Sequence, residues 1–296
     1  MVKALFSILV KLKQYFSFNK NKKCSKDHNA LISNLEHKNN LIKKQDQKIS
    51  NLEESEHLLS QEIEKYKRKL ELSKLHNLDK KLLHKYPSKL ITWNARSLPF
   101  SKQKIKVPVN LMITPNDPLI IADLKKWGFW GSSEDYEILI PKIYKKIHRE
   151  YYHYKHDGPN WGSPEVWAFV FEIREKGWID DCDGFGVVIV SYLRALGVPA
   201  GFCWCVAGDT SIFNSKGEPM GHLSCYIYSQ ESKKFHHLNS TFGLHSHYET
   251  LSEYPTHDDA TESNDKIGIA KVWFSFNDLV ARSEFNKKEI GEILIE

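Results

Sequence analysis

Residues 180 to 199 constrain this chain more than any other stretch. They read Asp180-Asp181-Cys182-Asp183-Gly184-Phe185-Gly186-Val187-Val188-Ile189-Val190-Ser191-Tyr192-Leu193-Arg194-Ala195-Leu196-Gly197-Val198-Pro199. Phe185, Val188, Ile189, Tyr192, Leu193 and Leu196 recur at three- and four-residue spacing, which marks a buried face of a helix. Asp180 or Asp181 suits the cap, because a carboxylate accepts from the unpaired amides of a first turn. Gly197 can take the left-handed conformation that ends a helix, and Pro199 prevents its continuation. Cys182 therefore falls in the first turn, where unpaired amides and the positive dipole end favour a thiolate. A buried structural thiol is the alternative. Asp180, Asp181 and Asp183 surround the sulfur with like charge, which raises a thiol pKa, so a nucleophile here needs a partner base.

At 296 residues and 41% hydrophobic content, the chain can bury one good core and still carry an appendage. Its net charge of +5 is small, and the excess lysines lie mostly in the first 110 residues, so no nucleic-acid footprint is read. There is no glycine-rich phosphate loop, and no cofactor is called for. The five cysteines, Cys24, Cys182, Cys203, Cys205 and Cys225, are an odd number in a chain too large to need staples. Ala4 to Val10 is a short apolar run with no cleavage site after it. Free thiols in a reducing, cytoplasmic setting are expected.

In chain order, Leu5, Ile8, Leu9, Leu12 and Phe16 form one stripe over residues 2–18. Such a basic amphipathic helix can lie on a membrane surface, but packing on a partner helix or on the protein is preferred. Residues 19–29 read as a hinge, closing a first segment, 1–29. In 30–85 a seven-residue repeat places Leu31, Lys38, Gln45, Leu52, Leu59 and Tyr66 on one line. A second line holds Leu35, Ile42, Ile49, Glu56, Ile63 and Leu70. Neither Gly nor Pro occurs in this segment before Pro87. A coiled coil that makes a homo-oligomer is expected, with a lone helix folded back on the protein as the alternative.

Residues 86–130 carry five prolines and read as a linker leading into the core, with a short strand at Val107 to Ile113 and a helix from Pro118 to about Gly128. The main domain, 131–296, begins with a helix from Tyr136 to Tyr152 broken near Pro141. A second helix opens at Ser163-Pro164-Glu165 and ends near Gly177. After the cysteine helix the period changes to two: strands are expected at Gly201 to Gly208, His222 to Tyr228, Phe235 to Thr241 and Gly268 to Phe276. Glu249 to Asp265 reads as a loop, and a short helix closes the chain. Helices first and a small antiparallel sheet after them make an α+β domain.

A cysteine base at neutral pH is an imidazole, and it needs a third group to hold its tautomer. If Tyr228 pairs with Phe235, Ser224 faces Asn239, and His222 and Asn239 become diagonal neighbours on one face. Trp161-Gly-Ser-Pro-Glu, Asp181-Cys182-Asp183, Leu193-Arg-Ala-Leu-Gly-Val-Pro199, Gly221-His222 and His237-Leu-Asn239-Ser-Thr resemble the bacterial transglutaminase-like cysteine peptidases, over residues of about 150–276. That resemblance implies a transglutaminase-like (papain-like) domain and a catalytic triad of Cys182, His222 and Asn239. Two positions depart from the pattern at the cysteine: Gly184 stands where the family has a second acid, and Asp180 where it has Gly. Asn239 replaces the usual Asp, as in the papain branch.

His236, His237, His245, His247 and His257 invite a metal reading, but no zinc spacing accompanies them and no metal site is assigned. Trp161 and Trp178 could wall the cleft or support an oxyanion, and as core aromatics they would do neither. The expected activity is hydrolysis or transfer at an amide bond of a protein or peptide, through an acyl-Cys182 intermediate. A non-catalytic assembly protein, carrying the same module on a coiled-coil stalk, is the alternative. A phage or prophage origin would suit a stalked module, on the resemblance alone.

Overall fold

A computed structural model describes residues 25–96, 104–132, 134–162, 166–239, 247–262 and 267–295. The stripe expected at 2–18, Cys24, the Ser163-Pro164-Glu165 helix start and Thr241 lie outside them. The chain forms two compact units, Met1–Lys69 and Leu70–Glu296.

The first helix, α1 (Ser25–Lys85), runs 61 residues without interruption, so the expected hinge is already helical from Ser25. Within the first unit Leu41, Ile49 and Leu52 are 48%, 53% and 61% exposed. Ile49 and Leu52 belong to the heptad lines, and their exposure leaves part of the seam facing water in the single chain. Among the described residues no helix is long and apolar enough to cross a membrane.

The second unit is built around α6 (Cys182–Ala195). The sequence pattern assigned this helix one buried face, but Val187 and Val190 are buried as completely as Val188 and Ile189. A helix apolar all round belongs in the middle of a core. Gly197 closes it with φ +89°. One side of α6 lies on a five-stranded sheet of order β7-β6-β5-β8-β9, made by β5 (Cys203–Phe213), β6 (Pro219–Ser229), β7 (Lys234–Leu238), β8 (Ile269–Phe276) and β9 (Ala281–Arg282). All neighbours are antiparallel. Gly186 permits the close approach: a Cβ there would meet Leu223, with the Cys225 and Cys205 sulfurs beside it at 3.5 and 3.7 Å.

The other side of α6 meets α2 (Pro118–Lys126), α3 (Tyr136–Glu150) and α5 (Val170–Glu175). Pro141 does not break α3. Within the range expected as a helix from Ser163 to Gly177, the described residues are helical only in α5, and Trp167 before it packs on Phe274 and Phe276; a separate short helix, α4 (Asp157–Trp161), precedes that range. The stretch expected as a linker contributes core: Val109, Met112, Ile120 and Leu124 are buried with Leu82 and Tyr86. It holds a hairpin of β1 (Thr92–Arg96) and β2 (Lys104–Pro108), followed by a 3-10 turn rather than a strand through Ile113. The polar stretch after Glu249 is ordered as a 3-10 turn and α7 (His257–Glu262), and α8 (Lys287–Ile295) closes the chain.

Arg194, on the last turn of α6, fixes the end of α1 to this core. Its guanidinium donates to Asp278 (2.6 Å), Asp79 (3.0 Å) and the Val198 carbonyl (2.6 Å), while Asp79 also accepts from the Ala200 amide. The mixture of helices with a main antiparallel sheet is the α+β class expected from the sequence.

Candidate active site

The site forms where β3 (His153–Tyr154) and β4 (Ile179–Asp180) pair in parallel and the chain turns into α6. Tyr152 fixes that turn: its ring packs edge-on to Phe185 and its hydroxyl donates to the Asp181 carbonyl at 2.5 Å. Cys182 is the first residue of α6 and is partly exposed. Asp181 occupies the cap position, but its side chain makes no capping bond. Neither Asp180 nor Asp181 therefore caps the helix as the sequence suggested.

Asp180 points inward. It is fully buried, and its Oδ1 accepts from the Trp161 indole at 2.7 Å and from the Asn160 amide at 3.5 Å. Its carboxyl group fills the space beside Gly184: a Cβ on residue 184 would lie 2.6 Å from both Cβ and Cγ of Asp180, and closer still to Oδ2. The two positions at which the motif departs from the pattern it resembles are thus in contact with each other.

Burial raises the Asp180 pKa well above the usual carboxylate value; the Trp161 hydrogen bond opposes this, and the charges of Asp181 and Asp157 add to it. Asp183, 5% exposed, is raised in the same direction by burial first and then by the Asp181 charge. Both acids are pushed toward the neutral form by the low-dielectric interior. The like-charge field that three aspartates would impose on Cys182 is correspondingly reduced, which the sequence alone did not reveal.

His222 lies on β6 opposite Gly208, and the residue is partly buried. Burial of its imidazole lowers the pKa to about 4, with Asp181 as the opposing charge. The ring is neutral at pH 7, the form a base requires. Asp181 connects the two elements: it precedes Cys182 in the chain, and its carboxylate acts on His222. The β6–β7 ladder has the expected register, with Tyr228 opposite Phe235 and Cys225 opposite Leu238. Asn239 follows the last paired residue, is fully buried, and accepts the Tyr144 hydroxyl of α3 on its carbonyl at 3.0 Å. Asp181 adjoins Cys182 in the chain and its charge acts on His222, whereas Asn239 is held from the α3 side.

Two groups of side chains bring ligand atoms within 4.8 Å of one another: Asp181 with Cys182 and Asp183, and Asp157 with Asp180 and Asp181. Oxygen-rich groups of this kind match a hard cation better than zinc. Asp157 had no signal in the sequence; its Oδ2 accepts the Val166 amide at 2.6 Å, which ties the chain after α4 back to its start.

No family model matches the chain, and no curated protein matches it. Among solved structures it resembles Legionella pneumophila LapG, at 18% identity and a TM-score of 0.35, over 54% of this chain and 71% of that one. The EGTA-treated form of that protein gives 17% and 0.38 over 57% and 75%, and the calcium-bound form gives 16% and 0.38 over 60% and 84%. Likenesses of this size are too slight to carry a function from one chain to another.

His245 lies outside the described residues, while His236 and His237 have structural partners. His236 and His237 point to opposite faces of β7, as expected: His236 bonds the Tyr254 carbonyl and Ser232, and His237 bonds Ser224 at 3.0 Å. Cys203, Cys205 and Cys225 are completely buried free thiols, with burial raising the pKa of Cys203 and Cys205. Trp161 and Trp178 resolve the other way from an oxyanion role. The Trp161 N–H is taken by Asp180, and Trp178 packs among Tyr151, Tyr192 and Arg174.

Proposed function

We propose that this chain is a cysteine-dependent amide hydrolase or acyl transferase of the transglutaminase-like kind, acting on a protein or peptide. Cys182 is the nucleophile, His222 takes its proton and later protonates the leaving amine, and Asn239 orients the imidazole. The observation that supports this best is selective exposure. Of the four described thiols, the one at a helix start is partly open and beside the acid that acts on His222, while the other three are sealed in the core. The neutral His222 ring suits proton abstraction when substrate arrives.

Iodoacetamide followed by peptide mass mapping tests the assignment. Cys182 should be alkylated ahead of Cys203, Cys205 and Cys225 in the folded protein. His222→Ala should slow that reaction at pH 7 by about ten-fold or more, as expected for loss of a positioned base. Asn239→Ala should leave most of the alkylation rate intact. Uniform labelling of the thiols, or a rate indifferent to His222, would remove the catalytic reading.

The exposed Ile49 and Leu52 of α1 favour a second reading, in which the module serves assembly. The intact chain should then sediment as a dimer or trimer at tens of micromolar, and Ile49→Lys with Leu52→Lys should return it to a monomer. A wild-type monomer at that concentration would leave the helix without a self-association role.

A further inference from the structure

An acyl-transfer site needs two donors for the oxygen that becomes negative when the thiolate adds to a carbonyl. The Cys182 amide at the start of α6 is one candidate, because the first amides of a helix have no intrahelical acceptor. Four side-chain donors near the turn into α6 are committed elsewhere. The Trp161 indole donates to Asp180, the Asn160 amide to the Ile179 carbonyl at 2.9 Å, the Lys176 ammonium to the Asn160 carbonyl, and the Tyr152 hydroxyl to the Asp181 carbonyl.

Tyr154 is different. The β3–β4 register sets it directly opposite Asp180, two residues before Cys182. Two residues before it in the chain, Tyr152 lays its ring against Phe185 of α6. It is 39% exposed, and its hydroxyl makes no hydrogen bond to any described residue. We propose that Tyr154 is a catalytic residue of this site, its hydroxyl donating to the carbonyl oxygen of the acyl group as Cys182 attacks. The proposal rests on Cys182 being the nucleophile.

In the step, the sulfur electron pair forms the S–C bond and the carbonyl π pair moves onto oxygen. That oxyanion accepts from the Tyr154 hydroxyl and the Cys182 amide. It then collapses to a thioester as the leaving group departs with its electron pair. Burial first, and then the Cys182 charge ahead of those of Asp181, Asp183 and Asp157, raises the Tyr154 pKa. The phenol therefore stays protonated and able to donate, and the sulfur is the acidic group that acts on it most strongly.

Two reagents separate this role from a structural one. p-Nitrophenyl acetate acylates a thiol through an oxyanion, whereas iodoacetamide alkylates it by displacement at carbon with none. Tyr154→Phe should slow acetylation of Cys182 by p-nitrophenyl acetate by about 10²-fold. Alkylation by iodoacetamide and the thermal midpoint should be unchanged, since the lost hydroxyl holds nothing in the fold. Equal slowing of both reactions, or undiminished acetylation, would overturn the assignment. A wild type in which Cys182 accepts neither reagent would fail differently: the nucleophile itself would be gone, and its oxyanion donor with it.

Discussion

Acidification from pH 7 to pH 4 should destabilise the wild type by about 3 kcal/mol more than it destabilises a His257→Gln variant. His257 opens α7 with its ring against Tyr226 at 4.6 Å and Phe285 at 5.8 Å, and its Nδ1 lies 3.1 Å from the Lys287 ammonium. That nitrogen accepts from Lys287, so protonating the ring would set two cations against each other. Burial, then Lys287, lowers the pKa from 6.5 to about 4, against the weaker pull of Asp258. A depressed folded-state value means that the neutral form stabilises the fold above pH 6.5 and that this stabilisation is lost as pH falls toward 4. The interval corresponds to about 3 kcal/mol. Urea unfolding of both proteins at pH 7, 6, 5 and 4 isolates this group from Asp180 and Asp183, which respond in the opposite sense and are common to both. Parallel curves would mean that His257 is solvated or already charged at neutral pH.

Where local chemistry dictates conformation, the sequence was a good guide. Gly197 ends α6 because only glycine readily takes φ +89°, and the Tyr228–Phe235 register follows from the turn between β6 and β7. It failed where partners distant in the chain decide. Pro141 sits inside α3 because the residues flanking it are buried, and packing outweighs the lost hydrogen bond. The apolar positions before Gly177 suggested one helix, but Trp167 is drawn out of it to pack on Phe274 and Phe276 of β8.

The candidate site divides in the same way. The helix that begins at Cys182 could be read from its periodicity and from Gly197, though not from a cap, and His222 from its strand, while Asn239 lies one residue past the end of β7. Tyr154 and Asp157 could not, because a two-residue parallel pairing across 26 residues leaves no periodic trace. The electrostatics were also hidden: three aspartates around one cysteine look like three charges until burial of Asp180 and Asp183 is known.

Placing an acidic side chain at residue 184 should damage the protein badly, and removing the one at 180 should repair it. In Gly184→Asp the new Cβ would overlap Asp180 at its own Cβ and Cγ, each 2.6 Å away, so rotation of the carboxylate gives no relief. Either the start of α6 moves away from β4 or Asp180 is expelled and the partly buried Trp161 indole loses its acceptor. Overpacking costs roughly 1 to 3 kcal/mol and an orphaned buried donor about 1 to 3 more, which would also shift Cys182 on its helix. Asp180→Gly alone leaves the same indole unpaired over a small void. In the double variant, Asp180→Gly with Gly184→Asp, the space holds one carboxyl group again, delivered from the helix instead of the strand. Asp180→Ala cannot substitute for glycine, because its Cβ is itself one of the atoms in the way. Thermal unfolding and the Cys182 alkylation rate should both fall in each single variant and recover in the double variant. If the two losses add instead, residues 180 and 184 do not share one site, and the departures from the Asp-Cys-Asp pattern are independent after all.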